Sequence, residues 1–146
     1  MSVGQFVFML HSHLPYYRKA GMWPFGEENL YECMAETYVP LLNAISELYD
    51  EGIKAKLTVG ITPILAEQLN DEHLQNGFVE YIDSRIKAVS KDLDRYPDPK
   101  VAHSQHLKYL AKYYFDLWNK LRDDFVNKYE KNLIKYFKKY QDLGCI

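Results

Sequence analysis

Five consecutive apolar residues, Phe6-Val7-Phe8-Met9-Leu10, run straight into His11-Ser12-His13-Leu14-Pro15-Tyr16-Tyr17. An apolar run this short has strand length rather than helix length, and it predicts a buried strand over about Gln5 to Leu10. A second run, Ala55-Lys56-Leu57-Thr58-Val59-Gly60-Ile61, reads as another strand. The interval between the two carries a helical pattern, so the pair is expected to form a βαβ unit with parallel strands. That expectation fixes where chemistry belongs. In sheets of this kind ligands bind beyond the carboxyl ends of the strands, which is where His11 and His13 stand. Residues i and i+2 of a strand point to one side, so both imidazoles are expected on a single face.

The remaining elements follow from periodicity and punctuation. A helix is predicted from near Glu27, with Glu27, Glu28 and Glu32 placing negative charge near its positive N-terminal end. Pro40 interrupts the apolar pattern and lacks a backbone donor, which predicts a break or kink around Thr37 to Val39. The stripe Leu41, Leu42, Ile45, Leu48 and Tyr49 then resumes one helical face, with Gly52 as its stop. Pro63 opens a short helix to about Leu69. Asp71 caps a helix running to about Arg95, where Pro97-Asp98-Pro99 ends it. Further helices are predicted over about Val101 to Arg122 and about Tyr129 to Leu143, the last closed by Gly144. Cys145 and Ile146 then resemble the opening of another parallel strand. Two parallel strands cannot close a barrel or cover both sheet edges, so the expected fold is the N-terminal portion of a larger α/β protein. In that reading residues 1–146 form one incomplete domain, with poor solubility unless the missing part covers its edges. A self-contained small domain under a helical layer is the other possibility.

Composition narrows the function. Lys and Arg number 18 against 20 acidic residues, for a net charge of −2, whereas phosphate-rich partners call for a basic surplus. Nucleic acid is therefore not expected as a partner. Glu130 and Asp142 interrupt the basic stretch between Lys128 and Lys139, which reads as a solvated helix face. No secretory leader pattern is present and no segment has the length of an apolar membrane span, so a cytoplasmic protein without membrane contact is expected. Cys33 and Cys145 form no CxxC pair and read as reduced thiols.

His11-Ser12-His13 leaves three readings open: half of a metal site, hydrogen-bonding groups for sugar hydroxyls, or structural histidines satisfying loop carbonyls. His73, His103 and His106 fall on helices or at their starts and are expected at the surface. The loop from Tyr16 to Gly26 carries Tyr16, Tyr17, Arg18, Trp23 and Phe25. Its rings could stack on sugar faces with Arg18 meeting hydroxyls, or Trp23 and Phe25 could merely pin a long loop to the rim of a barrel. No acidic residue stands at the carboxyl end of either predicted strand. Glu27 and Glu28, the nearest, are accounted for by the helix dipole, so no catalytic carboxylate pair is evident.

The string His11-Ser12-His13-Leu14-Pro15-Tyr16 is followed by Trp23-Pro24-Phe25-Gly26-Glu27-Glu28 and by Ala35-Glu36-Thr37-Tyr38-Val39-Pro40-Leu41-Leu42. Together they resemble the start of glycoside hydrolase family 57, most of all its 1,4-α-glucan branching enzymes. Leu57-Thr58-Val59-Gly60-Ile61-Thr62-Pro63 and Tyr140-Gln141-Asp142-Leu143-Gly144 fit the same pattern. The resemblance implies the N-terminal portion of a distorted (β/α)7 barrel. It also implies a retaining mechanism with a Glu nucleophile and an Asp acid/base, and no metal or other cofactor. In the family both carboxylates lie on later strands, past residue 146, so an inactive fragment is implied here. What carries over is a substrate-binding role for His11 and His13 in the sugar-binding floor and for Trp23 at the rim. The implied partners are an α-glucan and the remaining part of the barrel. α-Amylase or 4-α-glucanotransferase activity of the same family is the nearest alternative. A metal-dependent hydrolase built on His11 and His13, and a non-catalytic helical interaction module, are the others.

Overall fold

The computed structural model describes residues 3, 4 and 6–146. They fall into two compact units, one running to Gln75 and resuming over Asn132–Ile146, the other spanning Asn76–Lys131.

The first unit holds two strands, β1 (Met9–Ser12) and β2 (Thr58–Ile61), paired in parallel with Met9 opposite Thr58 and His11 opposite Gly60. The parallel βαβ unit is therefore present, but both strands begin later than their apolar runs suggest. Gln5 lies outside the described residues. Phe6, Val7 and Phe8 stand outside the ladder and are exposed rather than buried. The cause is on the partner strand. Lys56 takes a left-handed backbone (φ 52°), which interrupts the extended chain and leaves nothing before Thr58 for residues ahead of Phe8 to pair with. Pairing starts where the Thr58 amide donates to the Phe8 carbonyl at 3.0 Å. At its other end the strand extends through His11 and Ser12, opposite Gly60 and Ile61, instead of ending at Leu10.

Between the strands run α1 (Glu27–Cys33), a π-helical turn over Met34–Tyr38, and α2 (Val39–Asp50), which carries Pro40 in its first turn. The expected disturbance ahead of Pro40 thus takes the form of a widened turn within continuous helix. A missing N–H costs nothing extra where the hydrogen-bond register is already changing. After β2 come α3 (Pro63–Leu69) and α4 (Glu72–Arg95), capped as expected by Asp71, whose Oδ1 accepts from the Leu74 amide at 3.1 Å. Leu30, Val39, Leu42, Ile45, Leu65 and Leu69 are fully or almost fully buried and form the centre of this unit. A late helix, α6 (Leu133–Asp142), packs on α2 and α3 and sets Tyr140 edge-on to Tyr49 with ring centroids 6.1 Å apart.

The second unit comprises most of α4, all of α5 (Ser104–Asp123) and a π-helical turn over Asp124–Lys128. Its core is aromatic: Phe78 meets Phe125 edge-on at 4.8 Å and Tyr81 meets Trp118 at 6.0 Å. The last helix was expected from Tyr129 but starts at Leu133. Glu130 and Lys131 both adopt left-handed backbone (φ 50° and 60°), which no helix continues through, and Asn132 then caps α6 by accepting from the Lys135 amide. No helix among the described residues is long and apolar enough to cross a membrane.

Candidate functional site

The carboxyl ends of β1 and β2 lie side by side, with His11 on β1 and His13 just past its end. His11 stands opposite Gly60, with its Nδ1 3.3 Å from where a Cβ at position 60 would be. His13 Nδ1 lies 3.3 Å from Thr62 Oγ1. Met9, His11 and His13 are exposed, while Leu10, Ser12 and Leu14 are half-buried, so the two imidazoles share the open face as the period of two requires. Among the described residues, no three His, Cys, Asp or Glu side chains are placed to hold one metal ion.

Ser12 faces the other way and is hydrogen-bonded to the Tyr38 hydroxyl. Tyr38 belongs to the π-helical turn and is only 4% exposed. Burial, aided by nearby Cys33, pushes its phenol up to about 12 despite the bond to Ser12. The widened turn ahead of Pro40 thus delivers a hydroxyl beneath the strand that carries the histidines.

The loop between Leu14 and Gly26 is fastened at several points. Gln68, buried on α3, accepts from the Tyr17 amide at 2.7 Å through Oε1 and donates to the Pro15 carbonyl at 2.9 Å through Nε2. Arg18 Nε donates to Asp71 Oδ2 at 2.7 Å, which fixes one side of its guanidinium against a carboxylate. Glu27 closes the loop's end. Its Oε1 accepts from the Lys19 amide at 2.7 Å and lies 2.9 Å from His73 Nε2, while Oε2 accepts from the Tyr31 hydroxyl at 3.0 Å. Burial would raise this carboxyl, but the Lys19, His73 and Tyr31 bonds outweigh it and hold it below the usual carboxylate range. Beside it, Gly26 has no room for a side chain, because a Cβ there would be driven into the Gly21 carbonyl, which accepts from the Glu27 amide at 2.8 Å.

Glu27 is therefore the fastening of the loop as well as a residue of the first helical turn, a role the dipole argument did not anticipate. His73, expected merely at the surface, is its partner. Trp23 and Phe25 are 78% and 82% exposed, and within this chain the loop is held by bonds from its backbone to Gln68 and Glu27. Tyr16 is likewise exposed. A cavity of about 220 Å³ lies under this end of the loop, lined by Tyr16, Arg18, Glu67, Gln68 and Asp71. His103 is exposed, and His106, also exposed, stacks on Tyr109. Gln68 carried one legible signal in the sequence, its place on the same helical stripe as Leu65 and Leu69, where a polar side chain needs buried partners.

This arrangement offers imidazole donors and acceptors at a strand mouth, and the following loop carries exposed aromatic rings. Two acids of this region are already engaged, Glu27 by Lys19, Tyr31 and His73 and Asp71 by Arg18.

The sequence model described as glycosyl hydrolase family 57 matches residues 7–146. A 1,4-alpha-glucan branching enzyme of Thermococcus kodakarensis is 42% identical over 125 residues, which are 86% of this chain and 18% of that protein. The crystal structure of the GH57-type branching enzyme from Pyrococcus horikoshii superposes with a TM-score of 0.85 at 35% identity, covering 94% of this chain and 25% of that one. The alpha-amylase AmyC from Thermotoga maritima superposes with a TM-score of 0.77 at 32% identity, again over 94% of this chain and 25% of that one. The 146 residues thus span a quarter or less of these relatives' lengths.

Proposed function

This chain belongs to glycosyl hydrolase family 57, and on that premise we propose that it forms the sugar-contacting floor of a 1,4-α-glucan branching enzyme. The single observation behind the site assignment is the common open face of His11 and His13 at the carboxyl ends of β1 and β2. In this reading the two imidazoles hydrogen-bond glucose hydroxyls and Trp23 stacks on a sugar ring at the rim. The parent activity transfers a glycosyl unit from an α-1,4 linkage to a 6-hydroxyl through a covalent intermediate on Glu, with an Asp acting as general acid and then base. Both carboxylates belong to strands of the (β/α)7 barrel that these residues do not span. The 146-residue chain then binds glucan and turns nothing over. Its free thiols, Cys33 and Cys145, fit a cytoplasmic setting.

Purified chain incubated with amylose should generate no new α-1,6 branch points by NMR while still binding maltooligosaccharide. Branch formation by this chain alone would overturn the division of roles. The likeness to AmyC favours hydrolysis as the second reading of the parent activity. Reducing ends appearing without branches in the assembled enzyme would select it.

A further inference from the structure

Thr62 occupies the N-cap of α3, yet its side chain accepts from none of the amides of the first turn. Threonine in this position ordinarily spends its oxygen on the amide two or three residues further on. Here Pro63 follows it, and the residue before a proline is held out of the helical region. Thr62 is accordingly extended (φ −68°, ψ 150°) and continues the line of β2 by one residue. Its amide donates to the Ser12 carbonyl at 3.2 Å. Since Ile61 pairs with Ser12, Thr62 comes to stand beside His13. The hydroxyl that does not cap the helix lies 3.3 Å from His13 Nδ1.

That contact has a direction. A neutral imidazole carries one protonated and one bare nitrogen, whereas a hydroxyl offers one proton and two lone pairs. The opening turn of a helix presents amide donors to its surroundings, so a proton left on Nδ1 would point into a region already rich in hydrogens. The lone pair of a bare Nδ1 instead meets the Thr62 proton. His11 differs, because its Nδ1 lies against Gly60, which has no side-chain hydroxyl to offer.

We propose that Thr62 is a positioning residue that holds His13 in the tautomer bare at Nδ1 and protonated at Nε2. His13 then meets a glucan as a hydrogen-bond donor, and the group it recognises is a sugar oxygen with a free lone pair. The pair Thr62-Pro63 serves this purpose jointly: the proline fixes the extended backbone and the threonine supplies the hydroxyl. The role toward glucan rests on the sugar-floor reading given above, while the choice of tautomer does not.

The test records ring-nitrogen shifts of isotopically labelled histidines at about pH 9, well above the ordinary imidazole range. His13 should show a bare Nδ1 and a protonated Nε2. Thr62→Val trades the hydroxyl for a methyl and should lower the ratio of this tautomer to the other about fivefold, the factor that an ordinary hydrogen bond supports. His11 should not respond, and Thr62→Ser should restore the ratio at His13. Because the side chain caps nothing, the melting midpoint of Thr62→Val should stay within about 2 °C of the wild type. Maltoheptaose affinity should fall about fivefold in Thr62→Val and return in Thr62→Ser. Should the valine variant misfold, Thr62→Ala removes the same hydroxyl with less bulk and is scored in its place. A His13 protonated at Nδ1, or a ratio unmoved by loss of the hydroxyl, overturns the inference. A shifted ratio with unchanged affinity overturns the donor role. A wild type that binds no maltoheptaose defeats the sugar-floor reading, and the donor role with it.

Discussion

The His11 imidazole lies against Gly60 of the neighbouring strand, its Nδ1 3.3 Å from where a Cβ would project. That separation is tighter than ordinary carbon–nitrogen contact, so the glycine makes room for the ring. Gly60→Ala should push His11 outward by a few tenths of an ångström, at a stability cost of about 1 kcal/mol. The His11 ring signals in an NMR spectrum should shift while those of His103 and His106 stay in place, and maltooligosaccharide affinity should fall.

Glu27 is only 7% exposed and receives the Lys19 amide and the Tyr31 hydroxyl beside His73. Glu27→Ala strands these groups and should cost about 2–4 kcal/mol in urea melts at pH 7. Its folded carboxyl lies below the usual range. The stability it contributes is therefore fully present above the unfolded carboxylate value and is lost as pH falls through the folded value. The gap between wild type and Glu27→Gln should narrow markedly from pH 7 to pH 3.

Tyr38 works in the opposite direction. Its phenol is raised from 10.0 to about 12, so folding holds a proton that the unfolded chain releases. That contribution is complete below pH 10 and disappears as pH rises toward about 12. Stability should fall over this interval in the wild type and less steeply in Tyr38→Phe, which should also lose about 1 kcal/mol at neutral pH with the Ser12 bond.

Trp23 touches little of its own protein, at 78% exposed. Trp23→Ala should leave the melting midpoint within the scatter of ordinary surface substitutions, about 0.5 kcal/mol. Calorimetric titration with maltoheptaose should show affinity reduced about tenfold, as loss of one stacking contact predicts.

The parallel βαβ unit, the helix opening at Pro63 and the Asp71 cap were all legible, because each rests on a local rule: alternation, proline at a first turn, an Asx cap. The strand starts were not. Lys56 gives no sign in the sequence that its backbone turns left-handed just ahead of β2, and the ladder starts at Met9 rather than at about Gln5. The same holds for Glu130 and Lys131, which delay the last helix to Leu133. At the site, the shared side of His11 and His13 followed from a period of two. The fastening of the loop did not, since Gln68 to Tyr17 and Asp71 to Arg18 join residues 51 and 53 positions apart. No local pattern encodes such pairs.

The account turns on His11 and His13 meeting glucan at the mouth of β1 and β2. Maltoheptaose titrated into isotopically labelled chain, with the five histidine rings followed by NMR, tests this most directly. The prediction is saturable shifts at His11 and His13, with His103 and His106 unmoved. Saturation that leaves His11 and His13 unchanged would contradict it.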